Sequence, residues 1–141
     1  MKIGLVSLGC SKNLVDSENI LGWFKSNDHV VVSDLNQADI LVVNTCGFIE
    51  PAKKESIDTL LDLSKYKDKN AKALIATGCL VQRYYDELKD ALPEVDAFIR
   101  IQDYPHLSDL LDPLLGKKSK VVYGKHERLV STLKHSAYLK I

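Results

Sequence analysis

The residues of this sequence best suited to chemistry are its three cysteines, Cys10, Cys46 and Cys79. Each directly follows an apolar, β-rich segment, and each has a glycine as a neighbour. Thiolates are nucleophiles and metal ligands, and an odd number of cysteines argues against a closed disulfide framework. Structural zinc sites usually show pairs of ligands roughly two to four residues apart, and no such pair occurs here. Three thiolates suit an iron–sulfur cluster in which one iron lacks a protein ligand.

Alternating strands and helices are expected to position these cysteines. The predicted strands are residues 2–8, 29–33, 39–44, 71–77 and 97–101, with a further short strand at 121–123. The predicted helices are residues 14–25, 51–66, 82–92 and 104–115, and the second has an apolar stripe of Ile57, Leu60, Leu61 and Leu63. This pattern is typical of an α/β domain with an open, mostly parallel five-stranded sheet and helices on both faces, of the flavodoxin-like or Rossmann-like kind.

The expected order of the strands brings the cysteines together. In an open parallel sheet, ligands bind at the carboxyl ends of the strands. The common order 2-1-3-4-5 makes the first, third and fourth strands neighbours, and these are the strands that Cys10, Cys46 and Cys79 follow. Because neighbouring strands lie about 4.8 Å apart, we expect the three thiols within roughly 10 Å of one another.

Polar residues beside the cysteines are candidates for supporting roles. Asn13, Asn44 and Thr45 are expected close to the cluster, where they could donate hydrogen bonds to its sulfurs. Capping of strand ends is the commoner role for such residues, so both roles stay open at this point.

Other roles for the cysteines were weighed. Each one taken alone is well explained as a small buried hydrophobic residue. Cys10 also stands where low-molecular-weight phosphatases carry their nucleophile, but Asp16 occupies the place of the required arginine and its charge repels phosphate. A phosphocysteine carrier of the sugar-transport type leaves Cys46 and Cys79 without a role.

Composition excludes several classes of protein. The 141 residues contain 19 Lys and Arg against 19 Asp and Glu, so no net charge attracts nucleic acid or a membrane. No apolar run approaches the roughly 18 residues of a membrane helix, and the apolar start is too short for a signal peptide. We therefore expect a cytoplasmic protein without membrane contacts. Its domain is expected at residues 1–123, with a basic linker at residues 124–141.

Three motifs around the cysteines resemble the N-terminal domain of the methylthiotransferases, a branch of the radical S-adenosylmethionine enzymes. They are residues 8–13 (Leu-Gly-Cys-Ser-Lys-Asn) with residues 16–18, residues 43–49 (Val-Asn-Thr-Cys-Gly-Phe-Ile) and residues 78–84 (Gly-Cys-Leu-Val-Gln-Arg-Tyr). Residues 137–141 resemble the strand that leads into the family's radical domain. The resemblance covers essentially the whole chain, and the three motifs together are specific.

The amino-acid sequences of the first two motifs distinguish two branches of that family. In the tRNA-modifying branch the first motif usually reads Gly-Cys-Gln-Met-Asn. Here it reads Gly-Cys-Ser-Lys-Asn and the second contains Cys-Gly-Phe-Ile. Both segments resemble the branch that modifies an aspartate in protein twelve of the small ribosomal subunit.

The resemblance implies an enzyme with two clusters. Residues matching Cys10, Cys46 and Cys79 hold an auxiliary 4Fe–4S cluster, whose open iron presents sulfur or methylsulfide to a carbon radical. A second 4Fe–4S cluster, in a radical domain, splits S-adenosylmethionine to a radical that removes hydrogen from the β-carbon of the target aspartate. A second S-adenosylmethionine supplies the methyl group.

The sequence also departs from that family. The Cys-x3-Cys-x2-Cys triplet of the radical domain is absent from these residues, as is the RNA-binding-type C-terminal domain. We therefore expect residues 1–141 alone not to turn over, the ribosomal protein to be the partner of the whole enzyme, and nucleic acid to be contacted only indirectly.

Two alternatives stay open on the sequence alone. A tRNA adenosine methylthiotransferase has the same fold and cluster but a different substrate. A non-enzymatic module, such as a phosphocysteine carrier or a protein-interaction domain, belongs to a different class. A Cys-x3-Cys-x2-Cys triplet beyond residue 141 would favour the enzymes over the module.

Overall fold

A parallel β-sheet forms the centre of the protein in the computed structural model, which describes residues 2–8, 11–46, 50–69, 71–115 and 138–140. Its strands are β1 (Lys2–Ser7), β2 (Val30–Val31), β3 (Ile40–Thr45), β4 (Ala73–Gly78), β5 (Ala97–Ile99) and β6 (Tyr138–Lys140). The α-helices of the described residues are α1 (Ser11–Ser26), α2 (Glu50–Ser64), α3 (Cys79–Ala91) and α4 (Leu107–Leu115).

The strand order is β2-β1-β3-β4-β5, and every pair is parallel. This is the predicted order. Ser7 at the end of β1 lies opposite Asn44 of β3, and Thr45 at the end of β3 lies opposite Gly78 of β4. Because the strands run the same way in near-level register, the carboxyl ends of β1, β3 and β4 meet at one edge of the sheet.

Helices cover both faces of this sheet, as predicted. On one face α1 and α4 pack over the sheet, and Trp23 and Phe24 of α1 are fully buried there in edge-to-face contact, with ring centroids 5.0 Å apart. On the other face α2 and α3 pack through apolar residues that include Leu60 and Leu80. Because strand side chains alternate in direction, each buried strand contributes to both apolar layers, which together exclude water from the sheet.

The strand β6 lies beside the carboxyl half of β1. It pairs in parallel with residues 5–7, whereas β2 pairs with residues 2 and 3. The resemblance led us to expect a strand here, but not its pairing with β1. The boundary between a domain at 1–123 and a linker at 124–141 stays a prediction, and the predicted strand at 121–123 lies outside the described residues.

Several element boundaries differ from the prediction by one to three residues; α1, for example, begins at Ser11 and not at residue 14. Two of the differences have a clear local reason. β2 is shorter than the predicted strand 29–33 because the side chain of Asp34 caps a 3₁₀ turn at Leu35–Gln37, which ends the strand pairing. Helix α3 begins at Cys79, three residues earlier than predicted, because Gly78 turns the chain from β4 into the helix without a loop.

The connection from β5 to α4 depends on an ion pair between Arg100 and Asp103. Asp103 Oδ2 accepts hydrogen bonds from the Arg100 backbone N–H at 3.1 Å and from its Nε at 3.0 Å. These bonds hold a 3₁₀ turn at Ile101–His106, which replaces the first turn of the predicted helix 104–115, so α4 begins at Leu107. The hydrogen bond from the Arg100 guanidinium lowers the pKa of the Asp103 carboxyl.

Replacing Asp103 with Asn should lower the melting temperature at neutral pH, and the difference from the parent should shrink in acid. A carboxyl whose pKa is lowered in the folded state stabilises the fold above its ordinary value of 3.8. That contribution is lost as the pH falls through the lower, folded pKa. The Arg100 side chain is 36% exposed, so solvent screening limits the effect to a few degrees at most.

Thermal unfolding followed by circular dichroism at several pH values measures this difference. A difference that stays constant with pH would show that geometry, and not the Asp103 charge, holds the turn.

Candidate metal centre

Cys46 and Cys79 lie at neighbouring strand ends, at the same level of the sheet. Thr45 and Gly78, the last residues of β3 and β4, are paired, and each cysteine is the next residue along the chain. Paired strands lie about 4.8 Å apart, so the backbones of Thr45 and Gly78 are close together. Each cysteine is one residue beyond this pair. They are not joined in a disulfide. Two thiols so placed can serve one metal centre at this edge.

The two cysteines differ in their surroundings. Cys46 is 7% exposed and belongs to the apolar cluster beneath α2 and α3. Cys79 is partly exposed and is the first residue of α3. The helical backbone that begins at Cys79 is interrupted at Tyr84, where φ is −122° and ψ is 34°.

Cys10, the third predicted ligand, and the side chain of Asn13 lie outside the described residues. β1, the strand that precedes Cys10, ends at the same edge as β3, with Ser7 opposite Asn44. Within the described residues, no group of three or more His, Cys, Asp or Glu side chains is arranged to hold a metal ion. Ligation by Cys10 therefore stays a prediction.

Gly78 allows the ends of β3 and β4 to approach closely. Its φ of 102° and ψ of −165° fall in a region that is essentially restricted to glycine. A Cβ atom at this position would overlap the side-chain oxygen of Asn44, and it would lie 2.5 Å from the carbonyl oxygen and 2.7 Å from the nitrogen of Thr45. The missing side chain thus makes room for Asn44 between the two strands that lead to cysteines.

Asn44 joins β3 to α1 below this edge. Its Nδ2 donates to Ser17 Oγ at 2.9 Å, and Ser17 Oγ donates to Ser7 Oγ at 2.9 Å. All three residues are buried. A supporting role of Asn44 at the cluster stays a prediction; the hydrogen bonds observed hold α1 against the carboxyl ends of β1 and β3.

Thr45 and Thr77 connect neighbouring strands through their side chains. Thr45 Oγ1 donates to the Thr77 carbonyl at 2.6 Å, and Thr77 Oγ1 donates to the Ile99 carbonyl at 2.7 Å. The Tyr104 hydroxyl lies 2.9 Å from Thr77 Oγ1. The hydroxyl hydrogen of Thr45 is thus used within the sheet, where it fixes the spacing of β3 and β4 next to the cysteines.

The backbone of Cys46 is held by Ser56 of α2. Ser56 Oγ accepts a hydrogen bond from the Cys46 N–H at 2.9 Å and donates one to the Cys46 carbonyl at 2.7 Å. Ser56 is fully buried.

Sequence reasoning missed Ser56 because it followed only the apolar residues of α2. The predicted stripe included Leu61, which is 40% exposed, whereas the buried face contains Ser56, Leu60 and Leu63. The available signal was spacing: Ser56 stands four residues before Leu60, on the same side of the helix.

Comparison with known proteins agrees with the resemblance. Residues 2–100 match the model of the family described as "Uncharacterized protein family UPF0004". The chain belongs to this family. A protein named "Ribosomal protein uS12 methylthiotransferase RimO" from Alkaliphilus oremlandii is 50% identical over 145 residues, which cover 100% of this chain and 33% of the relative.

Proteins of the same name from two further organisms are also similar. The protein from Clostridium novyi is 45% identical and that from Clostridium acetobutylicum 47% identical, over 99% and 100% of this chain and 33% and 34% of theirs. The UPF0004 chain thus spans about a third of the length of the curated relatives it matches.

Replacing Gly78 with Ala should lower the free energy of unfolding by about 1–3 kcal/mol, because alanine must adopt the left-handed φ. Its Cβ would also meet the Thr45 backbone, which cannot rotate away. Gly4→Ala is the matched control, since a Cβ there lies 3.0 Å from side-chain atoms of Ala38 and Leu35, and should cost less. Chemical denaturation measures both. Equal costs would show that the Gly78 turn relaxes readily around a side chain.

Proposed function

We propose that this chain is the iron–sulfur-binding N-terminal domain of a radical S-adenosylmethionine methylthiotransferase that modifies an aspartate of the ribosomal protein uS12. The pairing of Thr45 with Gly78 carries the proposal, because it sets Cys46 and Cys79 side by side at the edge where such sheets bind ligands. The names of relatives at 45–50% identity support uS12, rather than tRNA, as the substrate.

The donors at this edge fit a 4Fe–4S cluster, since thiolates are the ligands that such clusters use. Cys46 and Cys79 supply two thiolates, and Cys10 is the proposed third. A cluster held by these three residues would keep one iron without a protein ligand, and it would supply the sulfur chemistry of methylthio transfer.

The chain's own residues prepare this edge for the cluster. The hydrogen bond from Thr45 to Thr77 holds β3 against β4, and Ser56 holds the backbone of Cys46. Asn44 and Ser17 keep α1 in place at the ends of β1 and β3.

The second cluster and S-adenosylmethionine belong, in this proposal, to the rest of a protein as long as the relatives. The 141 residues contain only three cysteines, none of them in a Cys-x3-Cys-x2-Cys triplet, so this chain alone is not expected to turn over. None of the helices in the described ranges is long and apolar enough to cross a membrane. We propose that the enzyme acts in the cytoplasm and meets nucleic acid only indirectly, when uS12 is within the ribosome.

Anaerobic reconstitution of the domain with iron and sulfide should give about four irons per chain and broad visible absorption. Replacing Cys10, Cys46 or Cys79 with Ala should remove most of that iron, because two thiolates hold a cluster poorly. The exposed His106→Ala variant is the control and should bind iron as the parent does. Iron and sulfide analysis measures the outcome. Parent-like iron in Cys46→Ala would mean that Cys46 is a buried core residue and not a ligand.

In the whole enzyme, replacing Cys46 with Ala should abolish addition of the methylthio group while cleavage of S-adenosylmethionine continues. The cleavage depends on the other cluster, whereas sulfur transfer depends on this one. Mass spectrometry of uS12 measures methylthio transfer, by the mass gained when a methylthio group replaces hydrogen. Chromatography of deoxyadenosine measures the cleavage of S-adenosylmethionine. Methylthio transfer at the parent rate would contradict the proposed role of this domain.

A further inference from the structure

Ser56 supplies the Cys46 backbone with hydrogen bonds of the kind that a neighbouring strand would provide within a sheet. The paired register of β3 and β4 ends at Thr45 and Gly78, so Cys46 is the first residue beyond the ladder. Its N–H and its carbonyl both bond to one atom, Ser56 Oγ, at 2.9 and 2.7 Å. Both residues are buried. Without the Ser56 hydroxyl, the N–H and the carbonyl of Cys46 would lose hydrogen bonds that water cannot readily replace.

This double contact restrains the direction of the Cys46 side chain. The N–H belongs to the planar peptide group before Cys46 and the carbonyl to the planar group after it. Holding both groups on one atom restrains φ and ψ of Cys46 together, and these two angles set the direction of its Cα–Cβ bond. The single hydrogen of the Ser56 hydroxyl is used in the contact, so its geometry is defined in both directions.

The position of Ser56 on α2 shows that its hydroxyl, and not its bulk, matters here. The buried face of the helix continues with Leu60 and Leu63. An apolar residue at position 56 would extend this face, but it would leave the two main-chain groups of Cys46 without their buried partner. Ser64, on the same helix, is different: its hydroxyl only donates to the Leu61 carbonyl of its own helix, at 2.6 Å.

We propose that Ser56 is a positioning residue that aims the Cys46 thiolate at the iron–sulfur cluster. The inference rests on the proposed function, because it requires Cys46 to be a ligand. Groups that orient metal ligands through hydrogen bonds typically change metal affinity by about 10–100-fold when they are removed. Ser56 acts on the ligand through its backbone, and this sets it apart from residues that would contact the cluster itself.

The experiment compares the reconstituted parent with Ser56→Ala, Ser56→Thr and the control Ser64→Ala. Release of iron to a chelator under anaerobic conditions should be about 10–100-fold faster for Ser56→Ala. Ser56→Thr keeps the hydroxyl and should restore slow release, and Ser64→Ala should match the parent. The electron paramagnetic resonance signal of the reduced cluster should broaden in Ser56→Ala and sharpen again in Ser56→Thr, because a loosely aimed thiolate ligates in more than one geometry.

The possible outcomes separate this inference from the proposed function. If the parent holds no iron, or Cys46→Ala releases it at the parent rate, the proposed function itself is wrong. If the parent holds iron and Cys46→Ala does not retain it, but Ser56→Ala matches the parent in iron release and in signal, then Ser56 only packs α2. The positioning role would then be wrong. Thermal unfolding of the iron-free forms is the second measurement. A Ser56→Ala domain without a cooperative transition, or a Ser56→Thr domain as leaky as Ser56→Ala, would also overturn the positioning role.

Discussion

Parallel pairing of β3 with β4 is the constraint on which the candidate site depends. In a parallel pair every strand leaves the sheet at the same edge, so residues that follow paired positions become neighbours however distant they are in sequence. Thr45 and Gly78 are such a pair, and Cys46 and Cys79 follow them. The closeness of the two strand ends in turn requires that residue 78 have no side chain, since Asn44 and the Thr45 backbone occupy that space.

The composition of the sheet changes just before the cysteines. One row across β1, β3 and β4 consists of Leu5, Val42 and Ile75, and the next row on the same face consists of Ser7, Asn44 and Thr77. The polar row is buried: Ser7 and Asn44 are both hydrogen-bonded to Ser17, and Thr77 donates to the Ile99 carbonyl. Hydrogen bonds between buried polar groups depend on direction, whereas apolar side chains can repack. These hydrogen bonds restrain the strand ends from which the candidate ligands emerge.

Most of the architecture could be predicted from the sequence, because it follows from repeating patterns. Alternation of apolar strands with amphipathic helices indicates the α/β class, and rules of connectivity favour the order in which the strands before the cysteines are neighbours. The contacts between single side chains and the backbone could not be predicted. Ser56 reaches Cys46 across ten residues, and a lone serine on a helix leaves no periodic signal.

The start of α3 illustrates a second limit of sequence patterns. The predicted strand ends at residue 77 and the predicted helix begins at residue 82, which leaves Cys79 between the two elements. The positive φ of Gly78 instead lets the strand pass directly into the helix, which places Cys79 on the helix itself. The pairing of β6 with β1 escaped prediction for a related reason, since partners so far apart in sequence share no local pattern.

That pairing has a consequence for the order in which the sheet forms and opens. β6 and β1 close a loop of roughly 130 residues, and the entropy cost of closure rises with the logarithm of loop length. Contacts of such long range generally form late in folding, and an edge strand of three residues has few hydrogen bonds to resist opening. The amide groups along this edge of β1 should therefore exchange with solvent sooner than those between β3 and β4. The end of β1 that leads toward Cys10 is thus the part of the sheet whose order depends most on a distant segment of the chain.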